Sequence, residues 1–248
     1  MGVLVEICCG SVEDVLAAEK GGADRVELCS ALPLGGLTPS AGTLTGCKSL
    51  STLPLMVMIR PRSGGFCYSE IEFDTMLRDA ELALSLGADG LVFGFLNADG
   101  ALNHARTRQM ADLCGERTSV FHRAFDVVPN PLATLEELID IGIDRVLTSV
   151  QRRSSADGAS LIRQLVGIAK GRIEVLPGGG VRKHNLAEIV AQTGCDQVHM
   201  TAHASAVDSS THANREISFG ASSLPSEDQV DIVDSATVAA IVAEAATA

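Results

Sequence analysis

The chain has 248 residues, 19 basic against 31 acidic side chains, a net charge of −12, no tryptophan and one tyrosine. An acidic surface repels polyanions and nothing offers bases a stacking platform, which excludes nucleic-acid binding as the main function. No stretch approaches the ~18 apolar residues of a membrane span, and the N-terminus lacks the basic-then-apolar pattern of a signal peptide. The expected setting is therefore the cytosol, where irregularly spaced cysteines are thiols or metal ligands rather than disulfides.

A first strand is predicted over 3–9, with Glu6 at its centre, and then a helix over 11–20 that Ser11 and Asp14 start as a capping box. The run Gly22-Ala23-Asp24-Arg25-Val26 follows. Its glycine suits the left-handed turn after a helix, and the run leads into a strand over 25–29. The same Gly-x-Asp unit returns at Gly87, Gly142 and Gly194, each time between a helical stretch and a short apolar strand. Successive copies lie about 50–65 residues apart, roughly two strand-plus-helix units, so four copies make eight strands. Between them, strands are expected over 55–60, 91–96, 119–124, 145–150, 172–176 and 197–202. Helices are expected from Ser40, over 70–86, 104–114, 131–141 and 159–170, and up to Thr193. The Ser-rich stretch 205–229 is read as a long cover loop or subunit contact before a last helix from Ala236. Strict alternation implies a buried parallel sheet, and eight units imply closure. No Gly-x-Gly-x-x-Gly follows the first strand, as a Rossmann fold would need. The expected fold is a single-domain (β/α)8 TIM barrel of the α/β class spanning 1–248.

The repeat aligns the even strands. Glu27, Val92, Leu147 and His199 fall at one interior level, and Cys29, Gly94, Ser149 and Thr201 at the next. The odd strands align as Glu6, Met58, His122 and Val175, then Cys8, Arg60, Ala124 and Pro177. Such an interior holds two carboxylates, two imidazoles and an arginine. They are either a self-satisfied polar centre or an active site at the C-terminal mouth.

Three constellations carry chemistry. Cys8 and Cys29 stand on neighbouring strands at the same height, and two soft thiolates at that spacing suit Cu(I), although buried cysteine is most often a small hydrophobe. Arg60, Arg62 and Arg123, with the turn Gly178, Gly179 and Gly180, could hold an anion or phosphate. Glu6, Glu27, His122, Asp126 and His199 could form a general acid–base group. No nucleophile elbow, P-loop or His-Glu-x-x-His zinc motif is present.

The stretches Val5-Glu6-Ile7-Cys8-Cys9, Arg25-Val26-Glu27-Leu28-Cys29, Gly35-Gly36-Leu37-Thr38-Pro39-Ser40, Ile59-Arg60-Pro61-Arg62, Phe121-His122-Arg123-Ala124-Phe125-Asp126, Arg145-Val146-Leu147-Thr148-Ser149 and Pro177-Gly178-Gly179-Gly180-Val181 resemble the CutC family of copper homeostasis proteins. The resemblance runs from the first strand through the eighth. It implies a (β/α)8 barrel and a cytosolic, copper-linked homodimer or homotetramer whose Cu(I) ligands fall on Cys8 and Cys29. The chain departs from the family pattern at Val150, where glycine is usual after Leu-Thr-Ser. It departs again at Thr201, where serine is usual, and at Ser63, where glycine is common. An enzyme acting on a small anionic or phosphorylated metabolite is the alternative to a copper role.

Overall fold

The computed structural model describes every residue except 1, 215, 218 and 220–225. Eight parallel strands form the barrel: β1 (Leu4–Cys9), β2 (Arg25–Leu28), β3 (Leu55–Met58), β4 (Gly90–Phe93), β5 (Thr118–Phe121), β6 (Arg145–Thr148), β7 (Glu174–Pro177) and β8 (Gln197–Met200). Neighbours in sequence are neighbours in the sheet. β1 pairs with β8, and a Gly178–His199 bridge joins β7 to β8, so the sheet closes. Helices α1 (Val12–Lys20), α2 (Ala41–Leu50), α3 (Glu70–Ser85), α4 (His104–Cys114), α5 (Pro131–Ile141), α6 (Ala159–Ala169), α7 (Leu186–Thr193) and α8 (Ser235–Ala245) follow the strands. The expected (β/α)8 barrel is the observed fold.

The repeat has a physical cause in both of its fixed residues. Gly22, Gly87, Gly142 and Gly194 all have positive φ, between 72° and 95°, where a side chain is strained. Each aspartate of the first three copies staples the preceding strand. Asp24 Oδ2 accepts the Val5 amide at 2.8 Å, Asp89 Oδ2 the Leu55 amide at 2.9 Å, and Asp144 Oδ2 the Ser119 amide at 2.8 Å. These bonds cap the otherwise unpaired starts of β1, β3 and β5.

Outward strand residues such as Val5, Ile7, Val26 and Leu28 bury against the helices, together with fully buried Phe93, Phe95, Phe121 and Phe125. Cys8, Cys29, Met56, Met58, Val92, Val120, Leu147 and Leu176 pack together as a second cluster inside the barrel. The interior alignment of the even strands holds, but that of the odd strands does not. Glu6 shares its Cα partners Arg25 and His199 with β2 and β8, whereas Cys8 pairs with Glu27, Met58 with Val92 and Leu176 with Leu147. Cys8, not Glu6, is therefore the residue level with Met58. Val175 belongs to the outer core and Leu176 to the inner one, one residue out of the expected phase. Without a Gly-x-Asp marker in front of them, the odd strands offered nothing to anchor their alignment.

Two local expectations change. Ser11 does cap α1 through the Asp14 amide, but Asp14 does not complete a capping box. Its carboxylate takes the Gly10 amide at 2.9 Å and the Val233 amide at 2.7 Å, tying the start of α1 to the far end of the chain. The stretch expected as one loop from 205 to 229 opens and closes instead as an antiparallel ribbon, β9 (His203–Val207) with β10 (Gln229–Val233). The middle of that stretch lies largely outside the described residues. No helix among the described residues is long and apolar enough to cross a membrane.

Candidate functional site

The barrel interior is polar at its base. The third residue after each repeat glycine points inward at one level: Arg25, Gly90, Arg145 and Gln197. Arg25 pairs with Glu6 and donates to Gln197 Oε1 at 2.8 Å, and Arg145 Nε donates to Glu174 Oε2 at 2.6 Å. At Gly90 a Cβ would lie 2.6 Å from both Met56 Sδ and the Thr118 carbonyl, so the layer has no space for a fourth side chain. The Arg25–Glu6 pair is one the sequence offered for a polar barrel centre; Arg145, Glu174 and Gln197 were not singled out, although the place of Arg145 and Gln197 in the repeat was a usable signal.

Above this layer the predicted residues converge. Cys8 Sγ and Cys29 Sγ each lie within hydrogen-bond reach of Glu27 Oε2, at 3.5 Å, and one ligand atom from each of the three lies within 4.8 Å of the others. His199 bridges the two glutamates, with Nδ1 2.8 Å from Glu6 Oε1 and Nε2 3.8 Å from Glu27 Oε2. All five side chains are buried. Cys8, Cys29, Glu27 and His199 form the floor of a cavity of about 680 Å³ that opens at the C-terminal mouth, with Glu6 behind His199.

The electrostatics separate like groups. Burial raises the Glu6 carboxyl, but Arg25 and then His199 overrule it and hold its pKa at about 2. Burial dominates at Glu27, with the Cys8 and Glu6 charges adding to it, and carries that pKa to about 8. The hydrogen bond from Cys29 holds the Cys8 thiol well below its ordinary range against burial, with help from His199, while Cys29 is pushed well above. Burial lowers the His199 pKa, yet Glu27, Cys8 and Glu6 together raise it well above its ordinary value. These shifts favour the thiolate at Cys8 and the imidazolium at His199, and they disfavour the charged form of Glu27. By contrast, burial pushes Cys9, Cys47, Cys114 and Cys195 all upward, Cys47 to about 11 and Cys114 to about 12, as inert core thiols.

The donor set fits a soft monovalent metal. Two thiol sulfurs suit Cu(I), the nearby imidazolium offsets the charge of a dithiolate, and Glu27 Oε1 is buried with no hydrogen-bond partner among the described residues.

The anion-binding candidates are dispersed. Arg62 pairs with Glu72 and stacks on Tyr68, away from the cavity lining. Arg60 reaches the cavity with its guanidinium bound to carbonyls of the loops after β2 and β3. Arg123 Nε pairs with Asp126 at 2.7 Å, and Asp126 also accepts from the Ser149 amide at 3.0 Å, so the two stitch the loops after β5 and β6. Gly179 and Gly180, with φ of 92° and 73°, line the rim, where Arg123 fills the space a Gly179 side chain would take. Gly178 faces Leu147 Cδ1, only 2.4 Å from where a Cβ would stand. His122 also lines the cavity. Arg182, Phe66, His203 and Asp231 line it as well and were not singled out, because loop and ribbon residues carry no periodicity to read.

The CutC family model matches residues 3–204, nearly the whole barrel. The chain belongs to the CutC family. A CutC family protein of Treponema denticola is 50% identical over 230 residues, covering 93% of this chain and 94% of that one. The mouse copper homeostasis protein cutC homolog is 44% identical over 233 residues, 94% of this chain and 86% of its own length. The CutC crystal structure from Streptococcus agalactiae superposes with a TM-score of 0.76 at 32% identity, covering 80% of this chain and 98% of that one. The departure from the CutC pattern at Val150 gains a physical meaning here. Its φ is 51°, a left-handed conformation that glycine takes freely and a β-branched residue takes only under strain. Thr201 lies in the cavity wall, whereas Ser63 sits in the loop whose carbonyl Arg62 binds.

Proposed function

We propose that this chain binds Cu(I) through Cys8 and Cys29, as a cytosolic copper buffer or carrier. The observation that carries the reading is the convergence of both sulfurs on Glu27 Oε2 at the floor of an open cavity. One cysteine already favours the thiolate, and the other is its hydrogen-bond donor, so a metal would replace a single proton. Glu27 would stay neutral and Arg25 would keep Glu6 charged beneath His199. A homodimer or homotetramer, implied by the family, belongs to the same proposal. The test is copper X-ray absorption on anaerobically loaded protein. Scattering from both sulfurs is expected, and a shell of nitrogen and oxygen alone would contradict the reading.

A second reading is supported by the split between the two carboxyls, about 2 against about 8, above which the cavity exceeds the needs of one ion. Pairs of acids driven apart in this way are the mark of acid–base work. In this reading the chain is a barrel enzyme acting on a small anionic or phosphorylated substrate. Glu27 and His199 would handle protons, and the groups at the mouth would hold the anion. Turnover of a screened phosphorylated or carboxylated compound, lost in Glu27→Gln, would support it. Unchanged turnover in that variant would remove Glu27 from the chemistry.

A further inference from the structure

One wall of the cavity has no part in holding copper. His122 ends β5, and its Nδ1 accepts the Ala124 amide at 3.2 Å. In a neutral ring the proton is then on Nε2, which is buried and has no hydrogen-bond partner among the described residues. Burial and then the Arg60 charge hold the ring's pKa down to about 3, so it is a neutral donor at physiological pH. The ring is wedged in place. Phe66 packs at a centroid distance of 4.9 Å, and a Cβ at Gly94 would lie 2.5 Å from ring atoms. A buried N–H left unpaired in this way is destabilising until it finds an acceptor.

Arg60 stands beside it and is 6% exposed. Its Nη1 and Nη2 donate to the carbonyls of Leu34, Gly35, Gly36 and Gly64. No carboxylate pairs with it among the ion pairs of the described residues. Carbonyl dipoles solvate this cation without neutralising it, and a buried cation of that kind favours a counter-charge. Phe66 ties the two groups into one surface, with the Arg60 Cζ 5.3 Å from the same ring that packs on His122. Arg60, His122, Phe66 and Met58 all line the cavity.

We propose that this wall is a binding site for a small organic monocarboxylate, one oxygen of which accepts the His122 Nε2–H while Arg60 supplies the counter-charge. One unneutralised cation balances one negative charge, and one directional donor serves one oxygen. A phosphate dianion would need a cradle of donors that this wall does not have. Phe66 and Met58 favour an organic body on that carboxylate. The site uses none of the copper ligands. It names the ligand class for the second reading above, but binding at this wall does not require that reading's proton chemistry.

The test is a titration of the full chain, labelled with nitrogen-15 in its histidines, with sodium lactate and, in parallel, with inorganic phosphate at constant ionic strength. The His122 Nε2 resonance is expected to move saturably with lactate and not with phosphate, and to do so equally in the Cys8→Ser, Cys29→Ser variant. In His122→Phe the lactate affinity should fall at least tenfold; the wild-type titration stands alone if that variant does not fold. A resonance unmoved by lactate, or moved as well by phosphate, overturns the proposal, as does a response that disappears with the two cysteines. Binding without turnover of any carboxylate would leave this site standing while the enzymatic reading falls.

Discussion

Lowering the pH should destabilise this barrel through His122 in a way that can be calculated. The side chain is 3% exposed and its pKa is held down to about 3, against 6.5 for the ordinary group. In the unfolded chain the imidazole binds its proton near pH 6.5, while in the folded chain it refuses the proton until near pH 3. The unfolded state therefore holds more protons between these values, and stability falls as pH falls through that window. Each full unit is worth about 1.4 kcal/mol, and because the unfolded imidazole is only half protonated at pH 6.5 the loss between pH 6.5 and 4.5 is about 2 kcal/mol. That is a large share of the roughly 5–15 kcal/mol that holds a domain together. Glu6 also weakens the fold in acid, because its lowered pKa of about 2 loses its stabilising effect as pH falls below 4.5. A comparison isolates His122. Urea unfolding of the wild type and His122→Phe at pH 7, 6, 5 and 4.5 gives a stability difference in which the Glu6 contribution cancels. The gap should shift in favour of the variant by about 2 kcal/mol as pH falls from 6.5 to 4.5. Parallel stability curves across this range would refute the reasoning and would mean that His122 takes up a proton while folded.

Glu27→Gln should do the opposite in base. Its folded pKa of about 8 lies above the usual 4.5, so the wild type loses stability as pH rises between them, by at most about 1.4 kcal/mol per unit. The variant's advantage should grow from pH 5 to 8 and then level off in urea titrations; a constant gap would contradict it. Gly94→Ala places a methyl 2.5 Å from the His122 ring and 2.9 Å from Ala124 Cβ. It should cost about 1–3 kcal/mol, and an unchanged urea midpoint would show that the ring is free to move. Asp144→Ala removes the acceptor of the buried Ser119 amide and hydroxyl. A loss of about 1–3 kcal/mol is expected, with faster amide exchange at Ser119 as the local signature.

The barrel was legible because its marker is backbone chemistry. A glycine at positive φ recurs wherever a helix hands over to an even strand, and in the first three copies an aspartate caps the neighbouring strand. The same marker set the phase of Glu27, Leu147 and His199 correctly. It is absent before the odd strands, which explains the slip that placed Glu6 rather than Cys8 level with Met58, and Val175 rather than Leu176 inside. Cys8 and Cys29 were legible as a pair because β1 and β2 are adjacent. The tautomer of His122 was not, since it depends on one amide two residues away. Nor were the commitments of Arg62 to Glu72 and Arg123 to Asp126, which depend on how loops fold back. The β9–β10 ribbon, which brings His203 and Asp231 to the mouth, lies in a stretch whose composition suggests a loop; its few apolar residues are too short a run to announce two strands.

The measurement that bears most directly on the account is an anaerobic Cu(I) competition titration against a chelator of known affinity, on the wild type beside Cys8→Ser, Cys29→Ser. One tightly held copper per chain, lost in the variant, is the predicted result. Weak binding, or binding that survives removal of both sulfurs, would contradict a copper site at the barrel floor.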